Sequence, residues 1–256
     1  MHSVNEQGRR RNIGADPLSI IPDQLEQDGV HILFDPACIQ RPDGHFFEAE
    51  HWRRQRAVRS VAEGRGAACI FQYQGQALVL RHYRRGGLMA RFSDDRYLWM
   101  GLDRTRAWRE WHLLADMFGQ GLPVPHPVAA RVQRHGLFYS ADLVTLCIPG
   151  VTPLADLLMQ QALSETQWRL IGATIRRFHQ AGVYHADLNA RNILLDPAGQ
   201  VFVIDFDKGE RRTPQRSWQQ ANLARLRRSL DKFLARQGQF HFDEQAWQWL
   251  LAGYDK

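Results

Sequence analysis

Lysine is almost missing from this chain. Of 33 basic residues among 256, only Lys208, Lys232 and Lys256 are lysine, and none precedes position 208. Any task upstream that calls for a fixed positive charge falls to one of the 30 arginines, whose rigid donor fork suits phosphate and carboxylate. A GC-rich genome is the other source of such a bias. Cysteine is scarce too. Cys38, Cys69 and Cys147 are odd in number and far apart, which leaves no disulfide framework and no zinc-ligand spacing and suits a reducing compartment. Long apolar runs are also missing, so no bilayer-spanning segment is expected. Arg9, Arg10 and Arg11 have no apolar run behind them, which argues against a signal peptide. A cytosolic or peripheral protein is the expectation.

What is present is ordinary globular material: 44% apolar and 23% charged residues, enough to core one large domain or two small lobes. The net charge of +6 points to an anionic partner, whether nucleotide, phospholipid surface or acidic saccharide, without choosing among them.

The sharpest signal runs from Tyr184 to Gly209. His185, Asp187 and Asn192 keep the spacing H-x-D-L-x-x-x-N, and Asp205 opens an Asp-Phe pair 18 residues beyond Asp187. The polar clusters flank apolar runs over 192–195 and 201–206, joined by Pro197-Ala198-Gly199, which predicts a hairpin. A hairpin brings Asn192 and Asp205 to neighbouring strand ends, with Asp187 on the loop before them. Phosphoryl transfer from ATP needs that arrangement: Asp187 to take or orient the hydroxyl proton, and Asn192 with Asp205 to hold Mg²⁺ through hard oxygen ligands. Each pair alone would read as a solvated turn; four residues in this order around a hairpin favour the kinase-like reading.

Upstream, residues 1–16 read as a loose polar tail and 46–59 give no clear element. Residues 30–34, 58–62, 68–73 and 77–83 read as strands, with Glu63-Gly64-Arg65-Gly66 between two of them. Gly64 and Gly66 permit close approach of backbone N–H groups to phosphate, or simply make a hairpin turn. Arg81 ends Leu78-Val79-Leu80-Arg81, the slot where a kinase strand presents its ATP-contacting lysine. If Arg81 is only a surface strand residue, the chain is a crippled kinase. His82-Tyr83-Arg84-Arg85-Gly86-Gly87 follows, either an anion clamp or a solvated turn. A helix over 103–118, with Asp103 a candidate cap, carries Glu110, the partner expected for Arg81. Strands over 128–133 and 137–148 end at a hinge, 146–150.

Downstream the pattern is helical. A short helix is predicted over 154–158. Ser164 and Gln167 have capping-box spacing and open a longer helix that Gly182 ends. Helices over 214–236 and 243–251 follow, with Trp218, Leu223, Leu226, Leu230, Phe233, Trp247, Leu250 and Leu251 inward.

Taken together, the chain from about Val58 to Lys232 resembles the protein-kinase-like superfamily, and more closely the 3-deoxy-D-manno-octulosonic acid (Kdo) kinases within the lipopolysaccharide kinase group. The resemblance rests on Glu63 to Gly66, Leu80 to Gly87, Gly121-Leu122-Pro123-Val124-Pro125, His185 to Asn192, and Ile204-Asp205-Phe206-Asp207-Lys208. It implies an α+β, protein-kinase-like bilobal fold. Residues 17–148 would form an N-terminal lobe, an antiparallel sheet plus one helix; residues 149–256 would form a short, mainly helical C-terminal lobe. It implies ATP and Mg²⁺ as cofactors, a Kdo-lipid A precursor as acceptor at the cytoplasmic face of the inner membrane, and no nucleic-acid partner. Departures from protein kinases are informative. Ala186 replaces the arginine beside the catalytic aspartate, which argues against a phosphorylated activation loop. Asp207 replaces the last glycine of D-F-G, adding a carboxylate near the metals or capping a turn. Asn189 sits where a lysine is usual, leaving Arg191 as candidate donor to the γ-phosphate. Only 51 residues follow Asp205, few for a peptide-binding platform, which favours a small or lipid-linked acceptor. Another small-molecule or protein kinase, and a non-catalytic nucleotide-binding pseudokinase, are the competing readings.

Overall fold

Alternation of apolar residues builds the first half of the molecule. A computed structural model describes residues 19–61, 68–84 and 95–256. Its strands are β1 (Asp23–Gln27), β2 (Val30–Phe34), β3 (Val58–Val61), β4 (Ala68–Tyr73), β5 (Gln76–His82), β6 (Tyr97–Leu98), β7 (Pro127–His135) and β8 (Phe138–Leu146). They form an eight-stranded antiparallel sheet in the order β1-β2-β7-β8-β5-β4-β3, with β6 added to β8. The period of two sorts side chains between two cores: Ile32 and Phe34 enter one, Leu33 between them enters the other. Gly136, at φ +62°, makes the β7–β8 turn, a conformation that glycine adopts without steric cost.

The two faces are covered differently. On one, Phe46, Phe47 and Trp52 close over Phe71, with the Trp52 and Phe71 rings stacked at 4.4 Å. Phe46 and Phe47 come from a 3-10 turn (Gly44–Phe47) and Trp52 from α1 (Ala49–Arg54), a short helix in the stretch over 46–59 that shows no clear element in sequence. It is fixed by tertiary contacts, among them a hydrogen bond from Trp52 Nε1 to the Phe46 carbonyl at 2.9 Å. The other face receives α2 (Arg106–Gly119), which buries Ala107, Trp108, Trp111, Leu114 and Met117. Full burial of side chains such as Leu114 stabilises by roughly 1.5–3 kcal/mol each. Asp103 does not cap this helix, contrary to the sequence reading. It lies in a 3-10 turn over Leu102–Arg104, Thr105 is the N-cap residue, and the Tyr139 hydroxyl accepts the Arg106 N–H at 3.1 Å.

The remaining chain is mainly helical. It comprises the short strand β9 (Thr152–Pro153), α3 (Leu154–Gln160), α4 (Glu165–Gln180), strands β10 (Val183–Tyr184), β11 (Ile193–Leu195), β12 (Val201–Val203) and β13 (Glu210–Arg211), then α5 (Arg216–Arg236) and α6 (Glu244–Tyr254). The Ser164–Gln167 capping box is formed at the start of α4. Helices α4 and α6 touch backbone to backbone: a Cβ at Gly172 would lie 2.0 Å from the Leu250 carbonyl oxygen, and one at Gly253 would lie 2.0 Å from that of Arg169. One continuous core runs from Leu33 and Trp111 to Ile175, Phe206 and Leu250, joining α2 to the helical half. The sequence reading of about five strands and one helix before residue 149 thus falls short of the eight strands and two α-helices found there among the described residues. The loose tail over 1–16 lies outside the described residues.

Candidate active site

The hairpin is formed as its alternation predicts. β11 pairs antiparallel with β12, Ile193 opposite Val203, and Gly199 turns the chain at φ +82°. The Ile204 N–H donates to the Asn192 carbonyl at 3.0 Å, so Asn192 and Asp205 are adjacent. Asp205 sits at φ +64°, a left-handed conformation uncommon outside glycine and best tolerated by Asp and Asn.

The loop before the hairpin is pinned at both ends. His185 is buried, accepts the Asp187 N–H at Nδ1 (3.0 Å) and donates from Nε2 to the Ile204 carbonyl (2.9 Å). That tautomer is neutral, and burial holds its pKa down. The Asn192 and Asn189 amides both donate to the Asp187 carbonyl, at 3.0 and 2.9 Å. Asn222, buried on α5, brackets the His185 backbone: its Nδ2 donates to the His185 carbonyl (3.1 Å) and its Oδ1 accepts the His185 N–H (3.3 Å). The Asp187 carboxylate takes two hydrogen bonds from Arg225 of α5 on a single oxygen, at 2.6 and 2.9 Å.

Arg81, near the end of β5, reaches three groups at once. It forms ion pairs with Glu110 of α2 and with Asp205, and donates to the Tyr83 hydroxyl at 3.2 Å. Tyr83 donates in turn to Glu110 at 2.5 Å. Burial opposes the guanidinium's charge, but Glu110 and Asp205 beside it keep it ionised. Burial pushes the Glu110 carboxyl up, against the pull of Arg81. The Tyr83 phenol is pushed up by burial and by Glu110, and stays a proton donor. Tyr83 was not singled out from the sequence; its place two residues after Arg81, on the same strand face, is the signal that could have found it.

Asp207, next in line after Phe206, is engaged from α2. Arg106, the first residue of α2, binds it in an ion pair that includes an Nε contact at 2.6 Å, and also donates to the Tyr97 hydroxyl at 2.5 Å. Helix α2 is therefore tied twice to the segment after the hairpin, through Glu110–Arg81–Asp205 and through Arg106–Asp207. Arg106 and Arg225 carry no motif, and only the fold brings them to the site.

Two concavities meet these residues. A cleft of about 330 Å³ is lined by Arg81, Glu110, Asn192 and Asp205 on its polar side and by Val79, Leu146, Ile148 and Leu194 among its apolar walls. The stretch 146–150 read as a hinge thus contributes to its wall. A separate groove of about 590 Å³ is lined by Asp187 and Arg191. Arg191 lies on that side, its guanidinium 5.3 Å above the Phe233 ring. Gly64 and Gly66, and Arg85-Gly86-Gly87, lie outside the described residues.

The sequence model of the lipopolysaccharide kinase (Kdo/WaaP) family matches residues 49–254. The chain is 41% identical to the 3-deoxy-D-manno-octulosonic acid kinase of Photobacterium profundum, over 91% of this chain and 98% of that one. It is 40% identical to the protein of that name from Haemophilus influenzae, over 90% and 98%, and 45% identical to the one from Stenotrophomonas maltophilia, over 78% and 80%. The family match takes in the strands from β3 onward and the pinned loop over 185–192, and the chain belongs to the lipopolysaccharide kinase (Kdo/WaaP) family.

Proposed function

We propose that this chain is a Kdo kinase, transferring the γ-phosphoryl group of ATP to a hydroxyl of the Kdo sugar on a lipid A precursor in lipopolysaccharide inner-core biosynthesis. The observation that carries this reading is the 41% identity over 98% of a relative that bears the name. The geometry supports it. In the reaction the acceptor oxygen bonds to the γ-phosphorus, and the bond from that phosphorus to the β,γ-bridging oxygen breaks. ADP leaves with the electron pair, and the hydroxyl proton passes to Asp187.

On this reading residues 17–148 act as the N-terminal lobe and 149–256 as the C-terminal lobe, with the nucleotide in the cleft between sheet and hairpin. The base lies against the apolar walls, and Arg81 takes the phosphates in place of a strand lysine, oriented by Glu110 and Tyr83. Gly64 and Gly66 would close over the phosphates, and Arg191 would stand by the γ-phosphate on the acceptor side. The donor set fits Mg²⁺. Asn192 commits its Nδ2 to the Asp187 carbonyl, leaving Oδ1 to coordinate, and Arg81 binds Asp205 at Oδ1, leaving Oδ2. When bound, the ion neutralises charge on the phosphates. No helix among the described residues is long and apolar enough to cross a membrane. We place the enzyme peripherally on the cytoplasmic face of the inner membrane, because its acceptor is lipid-linked and its net charge is +6.

The test is an acceptor survey. With labelled ATP and Mg²⁺, label should reach Kdo-lipid and leave generic protein substrates and water untouched. Labelled protein with unlabelled Kdo-lipid would make the chain a protein kinase, and ATP binding without any turnover would make it a pseudokinase.

A further inference from the structure

The groove beside Asp187 is larger than the transferred phosphoryl group requires. Its lining holds five cationic side chains, Arg191, Arg225, Arg228, Lys232 and Arg236, and a single acidic one, Asp187. Four of the five lie on α5 at successive spacings of three, four and four residues, which puts them in one stripe along the helix. The stripe runs about 16 Å at the rise of an α-helix, longer than one monosaccharide. The helix's other side is spent on the core, through Leu223, Leu226 and Leu230.

Like charges at these spacings repel. Elsewhere on α5 the chain answers a cation with carboxylates: Arg227 donates to Asp231 at 2.9 Å and to Glu244 at 2.8 Å. Along the stripe the one carboxylate is Asp187, held by Arg225 at 2.6 and 2.9 Å. Arg228, Lys232 and Arg236 are exposed. Phe233, under Arg191, adds an apolar patch.

We propose that this groove is the acceptor site, and that Arg228, Lys232 and Arg236 hold an acidic group of the acceptor while its hydroxyl reaches Asp187. The inference rests on the kinase reading and assigns the side chains that receive the acceptor. The group held is a sugar carboxylate or a lipid phosphate, the two anions whose oxygens match guanidinium and ammonium donors. An anion in the groove also competes with Asp187 for Arg225. Acceptor binding thereby uncovers the carboxylate that takes its proton.

The experiment is steady-state kinetics on Arg228→Gln, Lys232→Gln, Arg236→Gln and the triple variant, with Kdo-lipid in neutral detergent micelles. Exposed positions leave the fold intact, which melting curves check. Loss of a charge-assisted hydrogen bond should raise the acceptor KM about tenfold in single variants and more in the triple, with the KM for ATP unmoved. Acceptors with the carboxylate esterified, or with the lipid phosphates removed, identify the group: the substitutions should cost least on whichever acceptor lacks it. An unchanged acceptor KM in the triple variant overturns the proposal. So does an unchanged KM accompanied by weaker binding to phosphatidylglycerol vesicles, which would make the stripe a membrane-docking face. Failure of the kinase reading shows differently, as a parent protein that transfers no phosphate. Calorimetric titration of the acceptor then still reports on the groove, weaker binding by the triple variant supporting it and equal binding overturning it.

Discussion

At residue scale, the position that departs most from the protein-kinase pattern is Arg81. A lysine there would be a compact point charge, whereas the guanidinium's planar fork reaches Glu110, Asp205 and the Tyr83 hydroxyl together. Arg81→Lys should therefore not be silent: it should weaken ATP use moderately. Arg81→Ala should lower kcat by about 10²–10³, the usual cost of removing one preorganised donor to the developing charge. Glu110→Ala should weaken turnover too, because it removes one of the partners that orient the guanidinium. The double variant should cost less than the sum of the singles if the two act as one unit. Steady-state kinetics on the four proteins of this cycle decide the matter, and strict additivity would separate the pair. The motif residues Asp187, Asn192 and Asp205, and the pair Arg81 and Glu110, were legible because each fills a fixed slot in a short string or on a predicted element. Tyr83, Arg106, Asn222 and Arg225 were not. Each acts through a contact made by folding, Arg225 meeting Asp187 across 38 residues of sequence.

At the scale of elements, legibility followed the strength of the local signal. Helix α4 carries a capping box and a regular apolar stripe, and the hairpin of β11 and β12 carries a turn string between apolar runs; both stand where the pattern put them. Helix α1 has six residues and no periodicity to read, since its place depends on Trp52 meeting Phe71. The start of α2 was misread because an acidic residue near a helix start resembles a cap, while the first N–H there is satisfied by Tyr139 from another strand. The α4–α6 contact was also invisible, although it yields a sharp prediction. A methyl group at Gly172 cannot fit 2.0 Å from the Leu250 carbonyl oxygen, so the helices must separate. Gly172→Ala should cost about 1–3 kcal/mol as an overpacked contact, and each kcal/mol lowers the melting temperature by about 2–4 °C in a chain near this size. Thermal unfolding followed by circular dichroism measures it. A melting temperature equal to the parent's would mean that α4 and α6 do not lie this close.

At the scale of the whole molecule, the core joining α2 to the helices contains a built-in sensitivity to acid. His179 on α4 is buried between Trp218 and Tyr254, its Nδ1 2.8 Å from the Tyr254 hydroxyl. Burial, with His185 nearby, holds its pKa down to about 4 against an ordinary 6.5. The folded state thus binds fewer protons than the unfolded state between those values. Stability should be complete above pH 6.5 and fall as the pH drops toward 4, by on the order of 3 kcal/mol. His185, also shifted down by burial, adds in the same direction. Urea midpoints between neutral pH and pH 4 should show the fall in the parent and a shallower one in His179→Gln; parallel profiles would assign the acid loss elsewhere. The pinned loop and the family membership meet at one carboxylate, that of Asp187. The most direct test compares phosphoryl transfer from Mg-ATP to Kdo-lipid by the parent and by Asp187→Ala, alongside their melting temperatures. We predict transfer by the parent, a fall of about 10²–10⁴ in the variant, as for loss of a positioned general base, and closely matched melting temperatures. A folded Asp187→Ala protein that phosphorylates Kdo-lipid at the parent's rate would contradict the account.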